Sequence, residues 1–585
     1  MKRRRFLAGA AAGGAGVVAA RFVGQASAGV ATGAGRSDEV FAHSVASGDP
    51  RSDSVVIWTR VTPTADATPG SGAGEPTEVH WEVGTSPDFD SSVASGTLTT
   101  DTDRDHTVKV DVTGLSPATT YHYRFTVVGG PADGASSRVG RTRTAPADGD
   151  DPGRLRFGVV SCSNYEAGYF RAYRALAERD DVEFVLHLGD YTYEYETGEY
   201  GAAYDEIVRQ TAPSNRTTTL TDYRIRQGHY RKDPDLADLH AAKPMICIWD
   251  DHEFYDNAWR DGATGDSNYP DYAAVKQDAT RAYYEWMPVR AGEGFGTNDA
   301  RHLYRHLRYG TLFELILPDL RTYRDAQVLL SESESGVPAD PDYLRSVGKD
   351  ERTMMGRTQF DWFADVLNTS PTTWQVIGNS VMFAPMTLPN TLDPRVHDWL
   401  VKQIGLPNDG IALNADQWDG YMAERQRIVD LIAERNNRGE GNVVFLTGDI
   451  HSSWAADIPA DAGSYRLGRD KTVAAAEFIT PSVTAASAYD SIAPAPELKP
   501  AIEEVLSLGE KILKEVDSWY KYIDFTRHGH MVVDIDHNRT QVDWLYGDIL
   551  SPDAGVTYAT SYQTAAGDPG VRQAGGELDR SKTVY

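Results

Sequence analysis

The apolar positions of this chain fall into two regimes. From about residue 40 to residue 145, short β-rich runs recur at Ser54–Val61, Glu78–Gly84, His106–Val112 and Tyr121–Val128. Gly48-Asp49-Pro50, Pro63, Ser86-Pro87-Asp88 and Gly129-Gly130-Pro131 punctuate them, and such residues favour turns. His106–Val112 alternates polar and apolar, as a half-buried strand does. Residues 40–145 therefore read as a small all-β domain, with Trp58 and Trp81 as core residues. Thr144–Gly153 is a Pro/Gly/Asp linker.

Residues 154–550 follow the second regime. Strand-like apolar runs alternate there with longer helical stretches, which predicts a layered α/β fold. The chemistry sits where the runs stop. Leu155–Val160 ends at Ser161-Cys162-Ser163-Asn164-Tyr165, and Phe184–Leu188 ends at Gly189-Asp190-Tyr191-Thr192-Tyr193. Met245–Trp249 ends at Asp250-Asp251-His252-Glu253. Trp374–Ile377 ends at Gly378-Asn379-Ser380, and Val443–Thr447 ends at Gly448-Asp449-Ile450-His451. Strand C-termini of such sheets line a common crevice, so residues far apart in sequence are predicted to converge.

The C-terminal part is plainer. Glu503–Tyr520 spaces Val505, Leu506, Leu508, Ile512, Leu513 and Val516 as an amphipathic helix, packed on the domain or lying over the site. His528-Gly529-His530 follows, with His530 read as structural. Met531–Ile535 and Gln541–Leu545 predict a closing hairpin. Residues 551–585 are Gly/Ala/Asp-rich and predict an extended tail.

The first 28 residues are an address. Met1-Lys-Arg-Arg-Arg-Phe-Leu7 precedes an Ala/Gly/Val run of about 13 residues and Ala26-Ser27-Ala28, a small-residue cleavage site. The run is too short to span a bilayer. Arg3-Arg4-x-Phe6-Leu7 looks like a twin-arginine signal, which predicts the twin-arginine machinery as a partner and a secreted or extracytoplasmic protein. That route carries folded proteins and suits an enzyme that loads metal before export.

Composition narrows the partners. The 585 residues carry a formal net charge of −28, and 41% are hydrophobic. Such a field repels polyanions, so nucleic acid is excluded as a partner held by bulk charge. No stable membrane insertion is expected, and the chain is expected to be a monomer. Two cysteines exclude a disulfide scaffold, and Cys247 reads as a core residue.

Cys, Tyr, Asp, Asn and His converging in one crevice need a cation, because crowded carboxylates repel and are costly to desolvate. Thiolate, phenolate and imidazole suit a soft, redox-active metal, and carboxylate and amide oxygens suit Ca²⁺, Mg²⁺ or Mn²⁺. The inventory predicts two unlike metals bridged by one carboxylate. Two metals about 3.5–4 Å apart can clamp a phosphoryl group.

The order Ser-Cys-x-Asn-Tyr, Gly-Asp-Tyr-x-Tyr-Glu-Tyr, Trp-Asp-Asp-His-Glu, Gly-Asn-x-x-Met-Phe and Gly-Asp-x-His resembles the PhoD-type alkaline phosphatase/phosphodiesterase family, a variant of the calcineurin-like metallophosphoesterases. Val45–Pro50, Arg281–Glu285, Asp416–Tyr421 and Glu477–Thr484 extend the likeness to about residues 40–548. The fold so implied is α/β (α+β), a metallophosphoesterase-type layered β-sandwich flanked by helices. Leu115–Arg124 adds a likeness to the tyrosine corner of fibronectin-type sandwiches, so the domain in front is expected to be fibronectin/Ig-like.

The resemblance implies Fe³⁺ and Ca²⁺. Cys162, Tyr193 and His451 would bind iron, Asp190 would bridge, and Asp251, Asn379 and Asp449 would face calcium. His252 would donate a proton to, or hold, a leaving or phosphoryl oxygen, and Glu253 would orient it. Asn164 would contact the phosphoryl group, and Arg321 would either contact it too or form a structural salt bridge. The implied activity is hydrolysis of phosphate mono- and diesters by metal-hydroxide attack, on small esters, teichoic acid or phospholipid. A phospholipase D activity on lipid head groups is the alternative at the same site. A rival from another class is a calcium-stabilised cell-surface binding protein without turnover.

Overall fold

The computed structural model describes residues 33–201, 207–263, 271–290, 302–328, 341–492 and 498–581. The expected signal over 1–28 lies outside the described residues. None of the described helices is long and apolar enough to cross a membrane.

Two large sheets carry the centre of the molecule. The first has ten strands, in the spatial order Asp568–Gln573, Val556–Ala565, Arg539–Gly547, His528–Asp536, Arg154–Val160, Val185–His187, Pro244–Cys247, Val45–Gly48, Ser54–Arg60 and Thr107–Thr113. Its middle, Arg154–Val160, Val185–His187, Pro244–Cys247 and Val45–Gly48, is parallel. The second has seven strands, with Phe313–Leu317, Trp374–Asn379, Val443–Thr447 and Val473–Ile479 parallel at its centre. Phe313–Leu317, Trp374–Asn379 and Val443–Thr447 are buried at every position and mostly apolar, as strands covered on both faces should be.

The two sheets pack face to face. Phe157, Leu186 and Leu188 of the first share one core with Leu315, Leu317, Val376 and Leu446 of the second. Gly378 leaves room for Leu317 of the neighbouring strand, since a Cβ there would lie 2.5 Å from Leu317 Cδ2. The parallel strands of both sheets thereby release their C-terminal loops at one end of the layers. All five apolar runs read from the sequence are strands or lead directly out of one.

The amino-terminal region forms a sandwich, with one difference from expectation. Ser92–Thr100, Thr77–Gly84, Thr120–Val128 and Gly140–Arg143 make a separate four-stranded sheet. The opposing layer consists of Val45–Gly48, Ser54–Arg60 and Thr107–Thr113, which continue the ten-stranded sheet. Val45, Val55 and Ile57 meet Val79, Val83 and Tyr121 between them. The small sandwich therefore shares strands with the catalytic layer, joined by the pairing of Ser47 with Pro244. The tyrosine corner is present: Ser116 N–H donates to Tyr121 Oη at 2.9 Å. Trp58 is buried and Trp81 is half-buried.

Three carboxy-terminal expectations meet the structure differently. His528–Asp536 and Arg539–Gly547 form the expected antiparallel hairpin, with Val533 opposite Val542. The hairpin does not close the sheet. Val556–Ala565 and Asp568–Gln573 add two strands where an extended tail was expected. The tail carried no apolar run because these edge strands are half exposed, and only a few positions such as Val571 and Leu578 are buried. The predicted helix is Lys499–Val516, with no fully buried residue.

Candidate metal centre

The loops released by the five strands meet as expected, and their backbones are unusual. Cys162, Asp190, Asp449 and His451 all have positive φ, between 52° and 65°. Non-glycine residues rarely occupy that left-handed region, and such residues cluster at functional sites. Gly189, at φ 104°, lets the second loop touch the third, since a Cβ there would lie 2.5 Å from that of Asp250.

Three groups of donors can each hold a cation: Cys162, Asp190 and His451; Asp190, Asp251 and His252; and Asp250, Asp251 and Asp449, with ligand atoms within 4.8 Å of one another in each group. Asp190 belongs to two groups and Asp251 to two, so the set is continuous. Tyr193 Oη donates to Asp190 Oδ2 at 2.8 Å and lies 3.2 Å from His451 Nε2. His451 Nδ1 lies 3.0 Å from the carbonyl of Ala486, so its Nδ1–H donates there and the Nε2 lone pair faces the site. Burial lowers the His451 pKa to about 4, which keeps the ring neutral.

The electrostatics call for a cation. Burial pushes the Cys162 thiol well up, and Asp190 and Asp449 add to it. Burial likewise raises Tyr193, reinforced by Asp190 and Cys162. Asp190 is raised by burial against the pull of His252, and Asp449 by burial and Asp250. Burial also works against Asp251, yet Arg321 and His252 hold its carboxyl below the usual range. Asp251 Oδ1 is nevertheless buried with no hydrogen-bond partner. A bound cation removes each penalty and supplies the missing partner, so these residues fit a metal pair.

Several expected roles are corrected. Glu253 does not touch His252. Its carboxylate accepts from the backbone N–H of Asp190, Tyr191 and Asp250, at 3.1, 2.7 and 2.9 Å, and so ties the second loop to the third. The partner of His252 is Glu194: His252 Nδ1 lies 2.9 Å from Glu194 Oε2, whose other oxygen accepts from Asp256 N–H at 2.9 Å. His252 also stacks on Tyr193, with ring centroids 4.4 Å apart. Burial opposes protonation of His252, but Asp251, Asp190 and Glu194 overcome it and raise its pKa well above the usual value.

Arg321 is not a free phosphate ligand. It is buried, donates to Asp250 at 2.6 and 2.7 Å, and pairs with Asp416 at 2.8 Å and Asp449 at 3.2 Å. It neutralises the carboxylates from behind. Asn379 uses its amide on the Val381 carbonyl and, at 3.0 Å, on Thr447, while its oxygen accepts from the Trp418 indole at 3.2 Å. These bonds fix its side chain at the end of Trp374–Asn379, where the fourth loop begins. Asn164 donates to the Tyr200 carbonyl at 2.6 Å. His528 pairs with Ser482 and Asp490, and Cys247 is a buried free thiol in the core. Both nitrogens of His530 are buried without a partner, which fits the structural role.

Glu194, Asp416 and Gln417 went unread in the sequence as site residues. Gln417 Nε2 donates to Asp449 Oδ2 at 3.1 Å. Glu194 stands within Gly-Asp-Tyr-x-Tyr-Glu-Tyr, but its partner histidine lies 58 residues later and no local pattern points to it.

Parallel layers that release a thiol, a phenol, imidazoles and carboxylates into one crevice define a metal-dependent phosphoesterase. The PhoD-like phosphatase family model matches residues 157–544, and the model of the PhoD-like phosphatase N-terminal domain matches residues 24–146. The chain is 34% identical over 447 residues to alkaline phosphatase D of Bacillus subtilis (strain 168), covering 76% of this chain and 69% of that one. A solved structure described as PhoD superposes with a TM-score of 0.74 at 28% identity, covering 93% of this chain and 94% of that chain. The chain belongs to the PhoD-like phosphatase family and hydrolyses phosphoric esters. That sets aside a binding protein without turnover.

Proposed function

We propose that the protein is an exported phosphodiesterase and phosphomonoesterase whose centre holds Fe³⁺ beside Ca²⁺. The division of donors carries this reading. Cys162, Tyr193 and His451 form a side whose phenolate and thiolate would stabilise ferric iron, Asp251 and Asp449 form an all-oxygen side suited to calcium, and Asp190 belongs to donor groups on both. Cations bound there supply Lewis-acid polarisation of a phosphoryl oxygen and lower the pKa of water. The chain's own residues do the rest. Asp190 and Asp251 anchor the centre. Arg321 offsets the carboxylate charge, and Glu253 fixes the loops. His252, oriented by Glu194, holds a proton at the ring nitrogen remote from that carboxylate and delivers it to the leaving oxygen.

The net charge of −28 favours small esters and zwitterionic lipids over long polyanions. Phospholipid head groups are diesters within the same chemistry, so phospholipase D activity belongs to this proposal; teichoic acid is a diester as well, but as a long polyanion it ranks below them. The leader over 1–28 supports export by the twin-arginine route to an extracytoplasmic location. The test is metal analysis of chelator-free protein with a panel of monoester, diester and lipid substrates. Iron and calcium with diester turnover is the expected result. Monoester turnover alone, or neither metal, contradicts the proposal.

A further inference from the structure

Among the described residues, fifteen large apolar side chains are exposed, and ten of them lie in two places. Five lie in residues 388–413, four lie on the helix Lys499–Val516 or at its N-cap, and Ile492 ends the short helix before it. Leu392 is 72% exposed and Trp399 54%, with Val396 between them. On the helix, Val505, Leu508 and Ile512 are 64, 57 and 52% exposed at i, i+3 and i+7 spacing, a continuous outer stripe. The inner stripe, Ile502, Leu506 and Leu513, is only half-buried and lies about 100° round the helix, so the two stripes form one broad apolar face of which only part is covered.

The two places are joined, and the chain leads from each towards the metal centre. Arg466 donates to Asp517 at the end of the helix at 2.8 Å, and to Thr387 Oγ1 and the Asp409 carbonyl at the base of the other segment, both at 2.7 Å. Residues 388–413 lead directly into Asp416 and Gln417, which bond Arg321 and Asp449. On the other side, Ala486 accepts from His451 just ahead of the short helix Ala488–Ile492.

We infer that this apolar rim seats the enzyme on the surface of a zwitterionic phospholipid bilayer, presenting the metal centre to a lipid phosphodiester. The inference rests on the diester reading above. Charge selects the occupant. The helix carries four Glu and three Lys, and residues 388–413 carry three Asp, one Arg and one Lys, so each face is near neutral in a chain of net charge −28. A second copy would bring two strongly negative bodies within a Debye length of about 10 Å, and an anionic membrane would be repelled in the same way. A neutral lipid interface carries neither penalty. Trp399 beside aliphatic neighbours has the composition of an interfacial anchor, and a helix lying in the headgroup plane buries an apolar stripe of this kind.

The test is flotation of the full chain with phosphatidylcholine vesicles, compared with V505Q/L508Q/I512Q and L392Q/W399Q. Glutamine keeps helix propensity, and the apolar leader is common to all samples. The native chain is expected to float, with binding that persists at high salt. Each variant should lose at least about tenfold in vesicle affinity, the value of one buried side chain or more, while turnover of a soluble bis-aryl phosphate is unchanged. Native-like binding by both variants overturns the inference. So does binding that needs anionic lipid and vanishes in salt, or a native dimer that the variants convert to monomer. Soluble diester turnover without vesicle binding overturns the surface and leaves the diester reading standing. Variant-sensitive vesicle binding by a protein that turns over no diester supports the surface and removes the diester reading.

Discussion

His252 and Glu194 form a buried pair, with Nδ1 2.9 Å from Oε2 and the Glu194 side chain sealed from solvent. The second carboxylate oxygen is fixed by the Asp256 N–H, so the glutamate cannot swing away without losing a hydrogen bond. Glu194→Gln should lower kcat by about 10–100-fold, the usual cost of losing a carboxylate behind a site histidine, with metal content and KM unchanged. Steady-state kinetics with metal analysis reads this. A silent Glu194→Gln beside an inactive Glu253→Gln would return the orienting role to Glu253.

Arg321 is the counter-charge of Asp250, Asp416 and Asp449. Removing one partner from a buried ionic network leaves uncompensated charge and costs about 3–5 kcal/mol. Arg321→Met should lose stability of that order in urea unfolding of the chelated protein. Added metal should narrow the gap, because cations take over part of the neutralisation. An unchanged midpoint with a raised KM would instead make Arg321 a substrate contact.

The last strands belong to the body of the enzyme. Val571 N–H donates to Asp457 and Leu578 N–H to Asp543, both at 2.7 Å, and both side chains are buried. Deleting residues 551–585 should cost about 3–6 kcal/mol for those two side chains alone, and bare the edge of Arg539–Gly547 to aggregation. Thermal unfolding and light scattering measure both effects. A truncated chain as stable and soluble as the native one would restore the reading of a free tail.

Much of this was legible because the chain marks its strand ends. Cys162, Asp190, Asp251, Asp449 and His451 each follow an apolar run, and a parallel layer has one chemical end, so their meeting followed from pattern alone. Glu194 was not legible because its role depends on a contact across 58 residues that no local period encodes. Arg321 could be read as a phosphate ligand or as a structural counter-ion, and only the four carboxylates around it decide. The sharing of Val45–Gly48 with the catalytic sheet was hidden for a related reason. A strand's partner is set by long-range pairing, here with Pro244, whereas the strand itself is set locally.

His530 supplies a pH prediction away from the metals. Burial lowers its pKa to about 3, with Arg179 and Arg580 assisting, and neither ring nitrogen has a partner. The folded state therefore binds fewer protons than the unfolded state below pH 6.5. Stability is full above that pH and falls as pH drops towards 3, by about 2 kcal/mol between pH 6.5 and 5. His530→Phe should flatten this slope, read as Tm against pH. An unaltered slope would show that other groups set the acid sensitivity.

The central claim is that Cys162, Tyr193, Asp190 and His451 close on a ferric ion. Its most direct test is the visible absorption spectrum of chelator-free native protein beside Tyr193→Phe, with iron quantified in both. A ferric centre with a phenolate ligand would colour the native protein, and the band should vanish with the phenol. A colourless, iron-free protein with full phosphoesterase activity would contradict it.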